Sequence, residues 1–169
     1  MNGEEWLEAY SGQTTDELLV LRKTHRVDSL ACAFERAVQN KAEEIGLDRL
    51  TEAERTILAV SAVDREVNNG GFEQFFGNSS CEFAPEMVAS LQRIGFSEAA
   101  ELAQDAIDAL HIQGPVTLST LEAVIEREDE AIVKRLDSID SRFYDEIGDL
   151  SGHLIAYIAA NRDSVILPQ

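Results

Sequence analysis

Apolar side chains recur every three or four residues along almost the whole chain, and this spacing constrains the fold more than any other feature. The pattern is clearest in residues 27–45, where one stripe contains Val27, Leu30, Ala31, Phe34, Val38, Ala42 and Ile45. Residues at these intervals share one face of an α-helix, and such a face packs against other elements. No stretch shows the sustained apolar and polar alternation of a half-buried strand. The sequence therefore predicts an all-α fold.

Local signals indicate where about seven helices begin and end. Thr51 and Glu54 have the spacing of a capping box, which predicts a helix that runs to about Asn69. Gly70-Gly71 and Gly95 are suited to end helices, because glycine adopts the left-handed conformation found there. Other helices are expected around Glu4–Tyr10, from a capping box of Ser119 and Glu122 to about Leu136, near Ser138–Ile147 and near Leu150–Asn161.

The length and the absence of linkers predict one domain. A chain of 169 residues has the usual size of a single domain, and no tract rich in Pro, Gly or Ser divides the sequence. We expect a single-domain bundle in which residues 1–50 form a helical segment packed on a helical core of residues 51–162. The longest uncharged runs have 13 and 12 residues, which is too short to span a membrane. With no signal peptide at the N-terminus and only two isolated cysteines, a cytoplasmic location is expected.

The chain is strongly acidic, with 32 acidic and 14 basic side chains and a net charge of −18. This charge repels nucleic acid and anionic membranes and attracts cationic partners. We therefore expect no direct binding to nucleic acid or membranes, and a basic protein as the partner. The alternative is that the charge only confers solubility or belongs to a salt-adapted proteome.

One acidic group falls in a segment without bases. No Lys or Arg occurs between Arg93 and Arg127. The first four acids of this segment are Glu98, Glu101, Asp105 and Asp108. On one helix they would share an arc of about 80° and lie about 5 Å apart along the axis. Phosphates along a DNA strand are spaced about 3.4 Å along the axis, so this density is compatible with an electrostatic likeness to DNA.

A second acidic group follows on the predicted helix 119–136. It consists of Glu122, Glu126, Asp129 and Glu130, and is partly balanced by Arg127, Lys134 and Arg135. Like charges three or four residues apart destabilise an isolated helix by a few tenths of a kcal/mol per pair, so their retention favours a role in binding. We predict that both groups contact the partner. For each group alone, an ordinary solvated helix face is the alternative.

No residue pattern points to catalysis, to a metal or to a cofactor. His25, His111 and His153 are scattered, without a paired spacing on a helix. No nucleophile motif, phosphate-binding loop or dinucleotide fingerprint is present. We therefore predict neither catalytic residues nor cofactor. One polar cluster, Glu66, Asn68, Asn69 and Gln74, surrounds the double glycine, and we interpret it as satisfying backbone groups at a sharp turn. A small ligand pocket is the alternative.

The segment around the double glycine resembles the signature of a bacterial helical domain family named after a DNA-mimic protein. The signature residues are Glu66, Val67, Asn68, Asn69, Gly70, Gly71, Phe72, Glu73, Gln74, Phe75 and Phe76. The resemblance extends from Thr51 through Ile94-Gly95 and Arg142-Phe143-Tyr144 to Ala156-Tyr157-Ile158, covering about residues 51–160. It implies an all-helical fold and, for the namesake, an acidic dimer that occupies the DNA-binding surface of a transcriptional repressor. The signature itself is interpreted as structural.

Three functions are compatible with these observations. The first is a bacterial DNA mimic that regulates transcription by covering the DNA-binding surface of a basic protein. The resemblance to the namesake implies that such a mimic is a homodimer. The second is an immunity-type inhibitor of a basic toxin such as a nuclease. The third is a ligand-binding or catalytic pocket built on Glu66, Asn68, Asn69 and Gln74. We expect the first, because the acidic groups lie within the region of resemblance.

Overall fold

The computed structural model describes residues 5–168, and within them it contains eight α-helices and no strand beyond an isolated backbone bridge. The prediction of an all-α fold is confirmed. The helices are α1 (Thr15–Val20), α2 (Val27–Ile45), α3 (Glu52–Gly77), α4 (Ala84–Arg93), α5 (Ser97–Ala109), α6 (Leu118–Ile125), α7 (Glu130–Glu146) and α8 (Leu150–Ala160).

The chain groups into two compact units. Unit 1 comprises the described parts of Met1–Ser61 and Ser151–Gln169, and unit 2 comprises Ala62–Leu150. Unit 1 thus contains α1, α2, the first ten residues of α3 and nearly all of α8, with the chain's C-terminal segment. Unit 2 contains the rest of α3 and the helices α4 to α7.

A buried carboxylate organises unit 1. Glu54 is completely buried and forms the predicted capping box with Thr51, whose backbone N–H donates to Glu54 Oε2 at 3.0 Å. Its other oxygen, Oε1, accepts from Lys41 Nζ at 2.7 Å and from the backbone N–H of Ile166 at 2.9 Å. Lys41 also donates to the Ile166 carbonyl. The Glu54–Lys41 ion pair therefore joins α2 to α3, and its hydrogen bonds to the Ile166 backbone add the C-terminal segment.

Unit 2 is built around the second half of α3. Its aromatic side chains Phe72, Phe75 and Phe76 are buried, and the Phe72 ring meets the Phe143 ring of α7 edge to face at 5.7 Å. Within the unit, α5 packs against both α4 and α7. Gly95 ends α4 as predicted: it has φ +75°, and the N–H of Phe96 donates to the carbonyl of Leu91 at 3.1 Å.

The predicted opening helix around Glu4–Tyr10 is wrong for its described residues, 5–10, and Glu4 lies outside the described part of the chain. The Glu5 backbone instead pairs with the segment that precedes α2: its N–H donates to the Thr24 carbonyl, and its carbonyl accepts from Arg26, both at 2.8 Å. These bonds hold the chain in an extended conformation. The first helix is α1, capped by Thr14 and Glu17.

The predicted helix from Ser119 to about Leu136 is also wrong, because it consists of two helices. Helix α6 ends at Ile125, and Glu128 adopts a left-handed conformation with φ 48°, which interrupts helical hydrogen bonding. Asp129 then caps α7 by accepting from the N–H of Ala131 at 2.8 Å. The capping box of α6 is formed by Thr117 and Thr120. As a result, the predicted break near Ser138 lies inside α7.

Candidate functional site

The first acidic group lies on the solvent-facing side of α5, and we call it the α5 stripe: Glu98, Glu101, Asp105 and Asp108. All four of its carboxylate side chains are exposed, as the spacing predicts. The opposite face is buried and consists of Ala99, Ala100, Leu102, Ala103, Ala106 and Ala109. Because this apolar face packs within unit 2, it fixes which way the carboxylates point.

Two members of the α5 stripe have partners within the protein, although no Lys or Arg lies between Arg93 and Arg127 in the sequence. Asp105 lies 3.2 Å from Arg142 Nη1 of α7, in a pair whose side chains are about half exposed. Asp108 accepts from the Gln104 amide at 2.9 Å. For Glu98 and Glu101, the structure of residues 5–168 contains no ion pair or side-chain hydrogen bond. The stripe thus offers two carboxylates free to meet a partner.

The second acidic group does not form one helix face. Glu122 lies in α6 and Glu126 just beyond its end, whereas Asp129 and Glu130 begin α7. All four are exposed. Asp129 is occupied in capping α7, and Glu130 lies 3.9 Å from Lys134. Among the described residues, the carboxylates of Glu122 and Glu126 have no ion pair or hydrogen bond. The group is therefore an exposed acidic turn with two free carboxylates.

The double glycine forms a sharp kink inside α3. Gly71 has φ 76° and ψ −176°, a combination that is essentially restricted to glycine. A Cβ at this position would overlap the Asp140 carboxylate of α7 and come within 2.7 Å of its Cγ atom. The carboxylate approaches closely because its Oδ1 atom accepts from the N–H of Phe72 at 2.8 Å. Asp140 thus caps the helical turn that restarts after the kink.

Helix α7 forms hydrogen bonds with backbone groups on both sides of the kink. One turn beyond Asp140, the Tyr144 hydroxyl donates to the carbonyl of Val67 at 2.6 Å, so that α7 also binds a carbonyl left over where the first half of α3 ends. Burial raises the pKa of Asp140, the bond from Phe72 opposes this, and Asp137 and Glu73 raise it further, so that it lies above its ordinary value. The signature segment of α3 and the Phe143-Tyr144 segment of α7 therefore form one structural unit, the joint between α3 and α7.

Glu66 is the centre of a polar network next to the kink. Oε2 accepts from Gln74 at 2.8 Å and from Asn78 at 2.9 Å, and Oε1 accepts from Ser80 at 2.7 Å. The guanidinium of Arg65 lies 3.4 Å away. Burial alone would raise the pKa of Glu66, but the three hydrogen bonds and the Arg65 charge outweigh it and lower the pKa from 4.5 to about 2. Glu66 is therefore ionised and held by its neighbours.

The four polar residues predicted around the glycines belong to two separate sets of hydrogen bonds. Glu66 and Gln74 are brought together, and the Asn69 side-chain amide donates to Gln74 Oε1 at 3.2 Å. Asn68 instead donates to the backbone and side chain of Asp64, one turn earlier in α3. The polar side chains of the network thus bond mostly to one another. Of the backbone groups that these residues are predicted to satisfy, Asn68 binds the Asp64 carbonyl, and those at the kink itself are bound by Asp140 and Tyr144.

Sequence reasoning did not identify Asp140 and Glu54 as central residues. A signal for Asp140 is present, because it lies among Leu136, Ile139 and Phe143 on the buried face of α7, where a carboxylate needs a partner. For Glu54, the sequence predicts only the capping role. Its ion pair with Lys41 joins positions 13 residues apart on different helices, so no local spacing reveals it.

Within residues 5–168, no group of three or more His, Cys, Asp or Glu side chains is arranged to hold a metal ion. Over the same range, no helix combines the length and apolar character needed to cross a membrane. Of the histidines, His25 lies 3.8 Å from the Glu5 carboxylate.

Comparison with known proteins identifies a family. The model of a family described as DMP19-like protein matches residues 48–161, which is more than half of the chain and includes the signature, its joint with α7 and both acidic groups. No curated protein and no solved structure matches the chain. The resemblance inferred from residues 51–160 is confirmed, and the chain belongs to the DMP19-like protein family.

Proposed function

We propose that this protein is a DNA mimic, whose acidic surface occupies the DNA-binding surface of a basic protein such as a transcriptional regulator. The distribution of charge carries the proposal. Unit 2 contains 19 acidic and 6 basic side chains, a net charge of −13, whereas unit 1 contains 13 and 8, a net charge of −5. A field of this strength on one unit attracts and orients a cationic surface.

The exposed carboxylates have the properties required of such a surface. Four carboxylates are exposed and, within the described residues, form no ion pair or hydrogen bond: Glu98, Glu101, Glu122 and Glu126. They need not give up internal bonds to meet the Lys and Arg side chains with which DNA-binding proteins contact phosphates. Pairing with such cations also compensates the carboxylates for the water lost on binding.

Membership of the DMP19-like family supports the same function, because the family resembled by the signature is named after a DNA mimic. The signature builds the joint between α3 and α7, and the surface carboxylates lie on other helices. Fold and acidic surface are therefore separate features of this chain, and the function depends on the second. No catalytic residue or cofactor is part of the proposal.

The proposal is tested by affinity capture from the native cell extract at low salt, followed by elution in a salt gradient. The first variant neutralises four free acids of unit 2: Glu98→Gln, Glu101→Gln, Glu122→Gln and Glu126→Gln. A control with the same change in charge neutralises four exposed acids of unit 1: Glu8→Gln, Glu43→Gln, Glu44→Gln and Asp48→Asn. We expect the wild type and the control to capture a DNA-binding protein that duplex DNA displaces, and the first variant to lose it.

Three other outcomes contradict the proposal. If both variants lose the partner equally, total charge matters and the surface of unit 2 does not. If the captured protein is a nuclease that stays bound when its active site is occupied by DNA, the protein is an inhibitor that works at another surface. If wild type captures no DNA-binding protein, the acidity serves solubility alone.

A further inference from the structure

An apolar groove lies beside the acidic turn in unit 2. It has a volume of about 440 Å³, within the range of sites that bind ligands, and is formed by the end of α6, the turn 126–129 and the first two turns of α7. Its floor consists of Val124, Ile125, Ile132, Val133 and Leu136. Ile125, Ile132 and Val133 are half-buried, so aliphatic surface is accessible from solvent. The interruption of helix 119–136 is what opens this groove.

The rim of the groove is acidic. Five carboxylates line it, Glu73, Glu128, Asp129, Glu130 and Asp137, against one base, Lys134. Lys134 is engaged with Glu130, and Asp129 caps α7. Within the described residues, the carboxylates of Glu73, Glu128 and Asp137 have no ion pair or hydrogen bond. An occupant of the groove therefore meets aliphatic groups at the centre and uncompensated negative charge around them.

The apolar floor and the acidic rim together favour one kind of binding partner. An apolar floor binds apolar side chains, and three free carboxylates favour cations at the edges, which is the complement of an amphipathic basic helix with anchors at i, i+3 or i+4 and i+7. A second copy of this chain is disfavoured, because it would bring its own excess of carboxylates to a rim that is already negative. DNA lacks both the cations and the aliphatic groups.

We infer that the groove binds a basic amphipathic helix of the partner protein, so that association combines electrostatic attraction with an apolar anchor. This rests on the proposed function, in which the partner is a basic protein, and it identifies where and by which kind of segment that protein is held. Rim charges set the salt dependence and the rate of association, whereas the buried aliphatic contacts supply affinity that salt does not screen.

The test uses the full chain and three synthetic peptides of equal charge. The first is a helical lysine-rich peptide with leucines at i, i+4 and i+7, the second has the same composition in scrambled order, and the third has serine in place of leucine. Affinity is measured by fluorescence anisotropy between about 50 and 200 mM salt. Binding is located from the methyl NMR shifts of Ile and Val. We expect the amphipathic peptide to bind roughly tenfold more tightly than either control, with shifts at Ile125, Ile132 and Val133.

Two variants separate the groove from the rest of the surface. Ile132→Thr combined with Val133→Thr removes apolar surface without changing charge, and we expect it to weaken the amphipathic peptide roughly tenfold while leaving the serine peptide unchanged. Ile166→Thr, at an exposed residue of unit 1, is the matched control and should change neither. Thermal unfolding verifies that both variants fold, and the methyl shifts of the wild type test the inference independently of the variants.

Equal affinities for the three peptides, or shifts confined to residues outside the groove, overturn the inference. Suppose that the three peptides bind equally well to the wild type but do not bind the variant with Glu98, Glu101, Glu122 and Glu126 neutralised. The acidic surface then binds cations without using the groove, and the proposed function survives. If the amphipathic peptide occupies the groove but no DNA-binding protein is captured, the proposed function fails and the groove remains a site for basic helices. A dimer in sedimentation that the Ile132→Thr, Val133→Thr variant dissociates would assign the groove to a second copy, against the inference.

Discussion

The two units use carboxylates differently. In unit 1, Glu54 is completely buried, paired with Lys41 and bonded to the backbone of the C-terminal segment, so it connects parts of the fold. In unit 2, two buried carboxylates, Glu66 and Asp140, support the kink of α3, but most of the unit's 19 acidic residues are exposed. An acidic side chain therefore has no fixed role, and its burial and its partners decide what it does. A buried acid with several donors stabilises the structure, and an exposed acid without a partner is available for binding.

The largest effect on stability is expected from Gly71→Ala in unit 2. The new Cβ overlaps the Asp140 carboxylate, and alanine is strained at φ 76° and ψ −176°. We expect the free energy of unfolding to fall by about 3–5 kcal/mol, as measured by denaturant unfolding. Gly77→Ala is the control, because nothing lies within 4 Å of its Cβ position and its φ is not positive. Similar losses for both variants would contradict the role given to the kink.

Glu54→Gln tests the buried carboxylate of unit 1. The substitution removes the negative charge that faces Lys41 and weakens the bond to Ile166, so we expect a loss of about 2–3 kcal/mol in the free energy of unfolding. A double-mutant cycle with Lys41→Met isolates the ion pair. Glu43→Gln, at an exposed position of α2, is the control. Additive effects of Glu54→Gln and Lys41→Met would show that the two side chains do not stabilise one another.

Acid dependence tests Glu66, the ionised centre of the polar network in unit 2. Its pKa is lowered from 4.5 to about 2 in the folded protein, so its contribution to stability is present above pH 4.5 and is lost as the pH falls towards 2. We expect Glu66→Gln to lower the free energy of unfolding by about 1–2 kcal/mol at neutral pH and by less at pH 3. Denaturant unfolding of both proteins at the two pH values measures this. A difference that stays constant with pH would contradict the lowered pKa.

The smallest effect on stability is expected from the exposed acids. Neutralising Glu98, Glu101, Glu122 and Glu126 removes no internal bond within the described residues, so the free energy of unfolding should stay within about 0.5 kcal/mol of wild type, or rise as repulsion is relieved. Thermal unfolding checks this, with the four-site control in unit 1 beside it. A large loss of stability would mean that these acids serve the fold, and would remove the contrast between the buried and the exposed carboxylates.

Several elements are predictable from sequence because their causes are local. The stripe in residues 27–45 gives α2 with the predicted bounds, and the capping box of Thr51 and Glu54 starts α3. The break of helix 119–136 is not predictable in this way. It depends on one left-handed residue, Glu128, whose side chain is not one that favours this conformation, and on the cap that Asp129 supplies.

The candidate site divides along the same line. Exposure of the α5 stripe follows from helical spacing, because the alanine and leucine face of α5 must be buried. The pairing of Asp105 with Arg142 cannot be predicted from this spacing, because the two residues are 37 positions apart in the sequence. The same holds for the groove, whose floor comes from two helices that the sequence joins into one.

Local sequence patterns are enough to predict the all-α class, the family, the concentration of charge and the face of α5 on which carboxylates lie. Periodicity and composition carry this information, because they act through neighbours within one or two helical turns. Which acids are available for binding depends instead on how the chain folds in three dimensions. The close approach of Asp140 to Gly71 and the pairing of Arg142 with Asp105 depend on residues that are distant in the chain and meet only when the helices pack. The groove beside the acidic turn depends on the change of direction at Glu128, which brings the end of α6 and the start of α7 together.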